Sequence, residues 1–481
     1  MRNWFGRSVC VLLLWAGLAS AQTFTVLTSL SQIAPPGGGG NLVWTLVQGF
    51  DGNFYGTTQG GGGTCANNPF ATCGVVFKVT PTGTLTTLYD FCQNNCTDGG
   101  APFSGLSLSP SGHFYGTTTT GGTSHNGALY EITPAGKLTT LHSFTGANAE
   151  GIPYGPVVEA NGAFYGATGL GGASGYGTIY KVTPTGTLTT VHTFSGTDGE
   201  QVGLEAEGLL EAPNGDFYGV TAYGTLGSNG CGTIFKMTSK GALKTLYSFD
   251  SSSAEGCGPF DGLVQAPNGD FYGTTVGGGT ANDGTIFKMT PNGTLTSLYN
   301  FCSQSNCADG SMPNAGMILG TDGNFYGTTI YGGATNQGTI FQITPGGTYK
   351  ALYSFCSQAS CADGIFSYSR LIQATDGNFY GTTSAGGGGN NGGTAFKLSM
   401  GLAPFVQTLP ASSKVGSQVK ILGTDLTGAT SVTFDGTAAT FKVDGRTLIV
   451  ATVPVGARTG KVRVKTPKGT LVSNIAFRVL P

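Results

Sequence analysis

Six carboxylates recur at one position of this sequence, each directly before a glycine. They are Asp98, Glu150, Asp198, Glu255, Asp309 and Asp363. If the copies form a ring, these side chains could bind a basic peptide, a cation or Ca²⁺ bridged to a sugar, although Ca²⁺ needs six to eight oxygen ligands. The alternative is that each carboxylate accepts backbone N–H hydrogen bonds and fixes its own loop. We expect no cofactor apart from this possible Ca²⁺.

A second acidic group, between residues 200 and 211, departs from the repeated pattern. It contains Glu200, Glu205, Glu207 and Glu211. Residues two apart on a strand share a face, and two carboxylates roughly 5 to 10 Å apart can cleave glycosides. Glu205 and Glu207 are therefore the catalytic candidates for an alternative function, a carbohydrate-active lyase or hydrolase. No phosphate loop, nucleophile elbow or H-E-x-x-H zinc motif is present in the sequence.

The basic residues are concentrated near the carboxyl end. Residues 403–481 contain ten Lys and Arg against three Asp, a net charge of +7, whereas residues 22–402 carry a net charge of −11. Lys461, Arg463 and Lys465 alternate with valines, which predicts three positive charges on one face of a strand. They form either a site for anionic groups or an ordinary solvated face. The acidic larger region argues against nucleic-acid binding.

The elements that must position these residues follow from a repeat. The tripeptide Phe-Tyr-Gly begins at seven positions, which are Phe54, Phe114, Phe164, Phe217, Phe271, Phe325 and Phe379. The copy from 315 to 355 contains four β-prone runs, at 316–320, 324–329, 338–344 and 348–355, bounded by turn residues. Four short strands in each of seven copies predict an all-β, seven-bladed propeller. His142 and His192 stand where other copies have tyrosine, so we expect them to pack as those rings do.

The seventh copy lacks its fourth strand. It ends at Ser399, whereas residues 23–30 at the other end of the chain match the fourth-strand pattern of residues 84–91. We therefore expect the amino-terminal strand to complete the last blade and close the ring, which removes exposed sheet edges.

The repeat stops near residue 401, which predicts a propeller over 22–401 and a second domain over 402–481. Alternating runs at 418–422, 431–434, 438–443, 447–453 and 460–466 are typical of a small β-sandwich.

Residues 1–21 have the pattern of a secretory signal, with cleavage expected near Ala21. We therefore expect a monomeric protein that is secreted, periplasmic or on the cell surface, with no membrane span. Ten cysteines remain after cleavage and predict five local disulfides. The expected pairs are Cys65–Cys73, Cys92–Cys96, Cys302–Cys307, Cys356–Cys361 and Cys231–Cys257.

The repeat, with its DG, FYGTT, GG, GTIFK and TLTTLYSF segments, resembles the GloVer (Gloeo-Verruco) tandem repeat over residues 22–400. Residues 403–481, including GSQVKILGTDL and ATVPVGARTGKVRV, resemble an IPT/TIG immunoglobulin-like domain. The resemblance implies a bacterial, exported β-propeller with a spacer or binding module. We expect a binding or surface-scaffold protein that engages a glycan or an extracellular partner through one propeller face, or else a purely structural envelope component.

Overall fold

The computed structural model describes residues 22–33, 42–62, 73–93, 95–146, 150–160, 162–202, 208–224, 230–250, 254–388 and 391–481. The chain forms seven antiparallel sheets, each built around one Phe-Tyr-Gly copy, followed by a β-sandwich. The predicted all-β, seven-bladed propeller with a carboxy-terminal immunoglobulin-like domain is confirmed.

Each blade contains four principal strands, which pair in chain order in blades 1 to 6, while the amino-terminal strand is the fourth strand of blade 7. Blades 1 to 3 are Val47–Gln48, Phe54–Thr58, Val75–Val79 and Leu85–Asp90; Ser107–Leu108, Phe114–Thr120, Ala128–Ile132 and Leu138–Ser143; and Ile152–Ala160, Ala163–Leu170, Thr178–Val182 and Leu188–Thr193. Blades 4 and 5 are Leu210–Glu211, Phe217–Tyr223, Thr233–Met237 and Leu243–Ser248; and Val264–Gln265, Phe271–Thr275, Thr285–Met289 and Leu295–Asn300. Blades 6 and 7 are Ile318–Leu319, Phe325–Thr329, Thr339–Ile343 and Tyr349–Ser354; and Ile372–Gln373, Phe379–Thr383, Thr394–Ser399 and Thr23–Ser29. Gly100–Pro102 and Glu200–Val202 are extra short strands in blades 2 and 4, and Ser305–Cys307 and Ala359–Cys361 are 3₁₀ turns.

The strand order gives the propeller two different faces. The first strands of all blades converge on one central cavity, so they are the innermost strands. We call the side that carries the turns after strands 1 and 3 the turn face. We call the opposite side the loop face, because it carries the loops after strand 2 and the links from each fourth strand to the next blade.

Aromatic stacking joins each blade to the next. The tyrosine of each Phe-Tyr-Gly lies 4.1 to 4.6 Å, between ring centroids, from the phenylalanine of the following copy. The seven pairs are Tyr55–Phe114, Tyr115–Phe164, Tyr165–Phe217, Tyr218–Phe271, Tyr272–Phe325, Tyr326–Phe379 and Tyr380–Phe54. The last pair connects blade 7 to blade 1, so the stacking runs around the whole ring.

The glycine of the tripeptide is required by close packing within the blade. A Cβ on Gly56 would lie 2.7 Å from the ring of Phe77 on the third strand, and the other six glycines face the equivalent ring of their own blades. Any larger residue would push this ring out of the core.

The predicted closure of the ring is confirmed. Thr23–Ser29 pairs antiparallel with Thr394–Ser399, and Thr23 lies opposite Ser399. Phe24 stacks on Tyr353 of blade 6 with ring centroids 3.8 Å apart. The amino-terminal strand therefore covers the edge of blade 7 and contacts blade 6.

The sandwich has two four-stranded sheets and a short parallel pair. One sheet consists of Gln407–Leu409, Gln418–Leu422, Leu448–Thr452 and Phe441–Val443; the other consists of Thr437–Ala438, Ser431–Phe434, Val462–Thr466 and Gly469–Val472; and the parallel pair is Ser412–Lys414 with Arg478–Leu480. The sequence predicted one strand over 438–443, which is wrong. The chain crosses between the sheets there, since Ala438 pairs with Thr433 and Phe441 pairs with Ala451.

We predict that deleting residues 22–31 lowers the melting temperature of the propeller. The deletion exposes the edge of blade 7 and removes the contacts of Phe24, whose partial burial stabilises the fold by up to about 3 kcal/mol. Circular dichroism melting of the truncated chain, beside the chain that begins at Gln22, measures the effect. An unchanged melting temperature would show that this strand does not close the ring.

Two buried tyrosines replace the core phenylalanine of the third strand in blades 2 and 3. The hydroxyls of Tyr130 and Tyr180 are buried without a hydrogen-bond partner among the described residues. We predict that Tyr130→Phe raises the free energy of unfolding by about 1 kcal/mol or more, because an unsatisfied buried hydroxyl is removed. Tyr55→Phe is the matched control, since the Tyr55 hydroxyl donates to Asp51 at 2.7 Å. Urea unfolding should show the two substitutions acting in opposite directions, and equal effects would contradict the assignment.

Candidate functional site

The six repeated carboxylates lie in the links of the loop face. The links also contact the glycine-rich loops, because the N–H of Gly333 donates to the carbonyl of Cys307 at 2.9 Å and Gly387 donates to Cys361 in the same way. The strand order predicts this shared face, and the structure places both sets of residues there.

Each carboxylate is bound by groups of its own link. Asp309 is fully buried and accepts hydrogen bonds from the Tyr299 hydroxyl at 2.7 Å and from the N–H and hydroxyl of Ser303 at 2.9 and 2.8 Å. Asp363 has the equivalent contacts with Tyr353 and Ser357. The remaining four carboxylates also accept from nearby residues, which are Tyr89 and Gln93 for Asp98, Thr145 for Glu150, His192 and Ser195 for Asp198, and Tyr247 for Glu255.

The aromatic partners place these carboxylates at the periphery of the loop face. Tyr299 and Tyr353 lie on outermost fourth strands, so the carboxylates turn away from the channel. Burial, and then the hydrogen bond to Asp309, raise the pKa of Tyr299 to about 12, so the phenol remains a donor. These contacts agree with the structural alternative from the sequence analysis, in which each carboxylate accepts hydrogen bonds and fixes its own link. A ligand-binding role for the six residues stays a prediction.

His142 and His192 pack in the position of those tyrosines, as expected. His192 Nε2 lies 2.9 Å from Asp198, and His142 Nε2 lies 3.6 Å from Glu150. Burial acts to raise the pKa of Asp198, but hydrogen bonds from Ser195 and His192 outweigh it and hold the pKa below its usual value. The histidines therefore replace tyrosine in a structural contact.

The catalytic candidates Glu205 and Glu207 lie outside the described residues, so the structure adds nothing about them. The two other glutamates of that group are separated along the blade. Glu200 belongs to a short strand paired with Tyr223, near the loop face, whereas Glu211 is on the innermost strand near the turn face.

The basic residues of the sandwich have different environments. Arg463 and Lys465 are exposed on one face of Val462–Thr466. Lys461 lies just before this strand, and its ammonium donates to the carbonyls of Ser473 and Asn474 at 3.0 and 2.6 Å. Two of the three predicted charges are therefore available on the surface, and an anion-binding role for them stays a prediction.

Four of the predicted disulfides are present, namely Cys92–Cys96, Cys231–Cys257, Cys302–Cys307 and Cys356–Cys361. Cys73 is also disulfide-bonded, while its predicted partner Cys65 lies outside the described residues. Asp283, Cys302 and Cys307 come close enough to suggest a metal site. Because the two cysteines are joined to each other, they cannot supply thiolate ligands.

Aromatic side chains on the loop face are a feature that the sequence reasoning missed. They form three pairs between adjoining blades, with ring centroids 5.3 to 6.0 Å apart, which are Phe103–Tyr154, Tyr223–Phe260 and Tyr331–Phe366. Tyr223 is 45% exposed, and Leu170, which ends the equivalent strand of blade 3, is 44% exposed. The signal was an aromatic residue three to five positions after the repeated carboxylate, as in Phe103 and Phe260.

The turn face is covered by the sandwich. The Thr447 hydroxyl donates to the carbonyl of Phe50 at 2.7 Å, and the Lys420 ammonium donates to the carbonyl of Ser111 at 3.0 Å and lies over the Phe50 ring. Arg478 of the sandwich also acts electrostatically on Glu211 of the propeller. Desolvation is the larger effect and raises the pKa of the Glu211 carboxyl, and the charge of Arg478 partly offsets this increase. Hydrogen bonds to propeller carbonyls and a cation–π contact therefore contribute to docking of the two domains, and Arg478 with Glu211 adds an attraction between opposite charges.

Two charged residues near the channel break the sevenfold pattern and were also missed. Arg370 occupies a position held in the other copies by Thr45, Gly105, Pro156, Gly208, Gly262 and Gly316. Its Nε donates to the carbonyl of Met317 at 2.8 Å. Asp261, which is 1% exposed, accepts from the N–H of Gly262 at 2.6 Å and from that of Gly316. Aligning the copies on their first strands would have identified both residues.

These elements define the class: a seven-bladed β-propeller whose turn face is covered by an immunoglobulin-like domain. The profile of the Gloeobacter/Verrucomicrobia repeat matches residues 17–208, 148–319 and 303–421, and that of the IPT/TIG domain matches residues 405–479. The chain therefore belongs to the Gloeobacter/Verrucomicrobia repeat family and ends in an IPT/TIG domain, as the sequence resemblance implied.

Comparison with other proteins adds no function. No curated protein matches the sequence. Among solved structures, a copper-bound fungal alcohol oxidase of the AA5 family is similar with a TM-score of 0.49 and 14% identity, over 93% of this chain and 100% of that chain. A puromycin-hydrolysing peptidase of Mycobacterium tuberculosis is similar with a TM-score of 0.48 and 9% identity, over 84% and 61% of the two chains. A putative 6-phosphogluconolactonase of Bacteroides uniformis gives 0.41 and 17%, over 67% and 87%. Likeness at this level does not extend to activity.

We predict that Asp309→Ala lowers the free energy of unfolding by about 3 kcal/mol, because it leaves the Tyr299 hydroxyl and the Ser303 N–H without their acceptor. Glu200→Ala is the control, since no described residue bonds its side chain. Urea unfolding of both variants measures the difference.

Equal stability of the two variants would contradict the structural role of Asp309. A calcium titration tests the ligand interpretation of the six carboxylates. Calorimetric titration of Ca²⁺ into the chelated wild-type chain completes the test, and we expect no heat because each carboxylate is already engaged by hydrogen bonds from its own link.

Proposed function

We propose that this chain is an extracellular binding protein that recognises a glycan through the loop face of its propeller. The observation that carries the proposal is the asymmetry of the two faces. The sandwich occupies the turn face through Lys420 and Thr447, whereas the loop face carries partly exposed aromatic residues around the channel.

The composition of the loop face suits such a ligand. Aromatic rings offer apolar faces with little loss of conformational entropy on binding, and apolar side chains exposed among polar loops are typical of interaction sites. The Tyr223–Phe260 pair, with centroids 6.0 Å apart, has one strongly exposed member. The pyranose rings of a glycan would stack on these side chains, and the carbonyl and N–H groups of the glycine-rich loops would bind its hydroxyls.

The internal bracing of the loop face also supports binding. The link carboxylates and the disulfides Cys302–Cys307 and Cys356–Cys361 hold the links in place. A surface that is ordered before the ligand arrives loses less entropy on binding. Disulfides that staple loops in this way are typical of proteins outside the cytoplasm.

We predict that the chain from Gln22 binds a defined subset of glycans on an array and that Tyr223→Ala weakens this binding at least about tenfold, because aromatic residues dominate such contacts. Val455→Ala is the matched control, since Val455 is 86% exposed on the sandwich. Absence of any bound glycan, or equal loss in both variants, would contradict the proposal. Binding only to immobilised proteins would also contradict the glycan assignment.

A further inference from the structure

A chamber lies where the central channel meets the sandwich. It has a volume of about 930 Å³ and adjoins a second cavity of about 310 Å³, and the two share Leu319, Arg370 and Asn474 in their walls. Leu409 and Pro410 of the sandwich close it on one side. Sites for small organic ligands commonly have volumes of about 300 to 1,000 Å³.

One register position of the innermost strand lines the chamber in six blades and the adjoining cavity in blade 5. Two blades have leucine there, Leu108 and Leu319. The other five present side chains with oxygen acceptors, which are Gln48, Glu159, Glu211, Gln265 and Gln373. The repeat therefore produces a ring of amides and carboxylates at one level, with apolar residues between them.

Two of these side chains accept hydrogen bonds within the protein. The amide oxygen of Gln48 accepts from the N–H of Thr375 at 3.0 Å, and that of Gln373 accepts from Thr321 at 2.9 Å. In both contacts the donor is the turn residue of the preceding blade. These glutamines serve as links between blades.

The equivalent donor is missing opposite Glu159 and Gln265. The corresponding turn residues of the preceding blades are Pro110 and Pro213, and proline has no N–H. Gln265 uses its amide nitrogen on the carbonyl of Gly269 at 3.3 Å. In the described part of the chain, no hydrogen bond or ion pair engages the carboxylates of Glu159 and Glu211. Three consecutive blades thus face the chamber with unused oxygen acceptors.

We propose that this chamber binds a small neutral carbohydrate of one or two rings. Glu159 and Glu211 are exposed and bind water, so a ligand that displaces this water must offer several donors. Sugar hydroxyls supply these donors, while the leucines and Pro410 contact the apolar faces of the rings. The charges near the chamber favour a neutral ligand over a cation, because Arg370 lines the wall and Arg478 acts on Glu211. This site is separate from the glycan surface proposed on the loop face.

The test is calorimetry and thermal melting of the chain from Gln22 with D-glucose, D-galactose, D-mannose, N-acetylglucosamine, maltose and cellobiose. We expect at least one sugar to bind with one-to-one stoichiometry and to raise the melting temperature. Glu159→Leu and Glu211→Leu should each weaken binding about 10- to 100-fold, through loss of a hydrogen bond to a charged acceptor. Blades 2 and 6 carry leucine at this position, so the fold should accept both substitutions.

Two controls make the result specific. Glu200→Gln, near the loop face, and Val455→Ala, at an exposed position of the sandwich outside both cavities, should leave sugar affinity unchanged. No heat or melting shift with any of the six sugars would overturn the proposal, as would unaltered affinity in both leucine variants. Binding of glucosamine alone among added probes would also overturn it, because that result would define a cation site.

Discussion

The stacking of each tyrosine on the phenylalanine of the next blade is the contact on which this molecule depends. Seven such pairs, closed by Tyr380 and Phe54, fix the distance and angle between neighbouring sheets. Their ring planes are tilted by 30 to 33°, and stacked aromatic pairs are favourable beyond the area that they bury. The glycine that follows lets a third-strand ring fill the blade beneath them. Phe-Tyr-Gly therefore serves the junction between blades and the packing within them.

Once the blades are fixed, their two faces acquire different tasks. On the loop face, the repeated carboxylates hold the links and leave their aromatic neighbours nearer the channel. On the turn face, Phe50 and Ser111 meet Thr447 and Lys420 of the sandwich. Groups that could contact a ligand lie at positions whose residue type differs between blades, such as Tyr223 and Glu211. A residue present in every blade is generally satisfied by its neighbours, since each blade supplies the same partners.

The repeat made the propeller predictable in detail. Four strands per copy, the closing strand from Thr23 and the local disulfides all follow from short-range patterns of turns, alternation and cysteine spacing. In the sandwich, the sequence prediction did not name Gln407–Leu409, Ser412–Lys414, Gly469–Val472 and Arg478–Leu480. Four of the five runs that it predicted there are strands, whereas at 438–443 the chain passes between sheets. Alternation cannot reveal such a crossing, because hydrophobic period is the same in both sheets. The placement of the carboxylates on the loop face followed from strand order, but their engagement with Tyr299 and its equivalents did not.

The sequence by itself determined the number of blades, the closure of the ring and the presence of an IPT/TIG domain, because each depends on contacts between adjacent segments or adjacent copies. The tertiary structure decided which face the sandwich covers, how the aromatic pairs form across blades and where the chamber lies. These features join residues far apart in the chain, such as Phe50 with Thr447 and Gln48 with Thr375. Their positions depend on how the surfaces of the propeller and the sandwich fit together and on which polar groups remain without a partner after folding. Neither property can be read from a local sequence pattern.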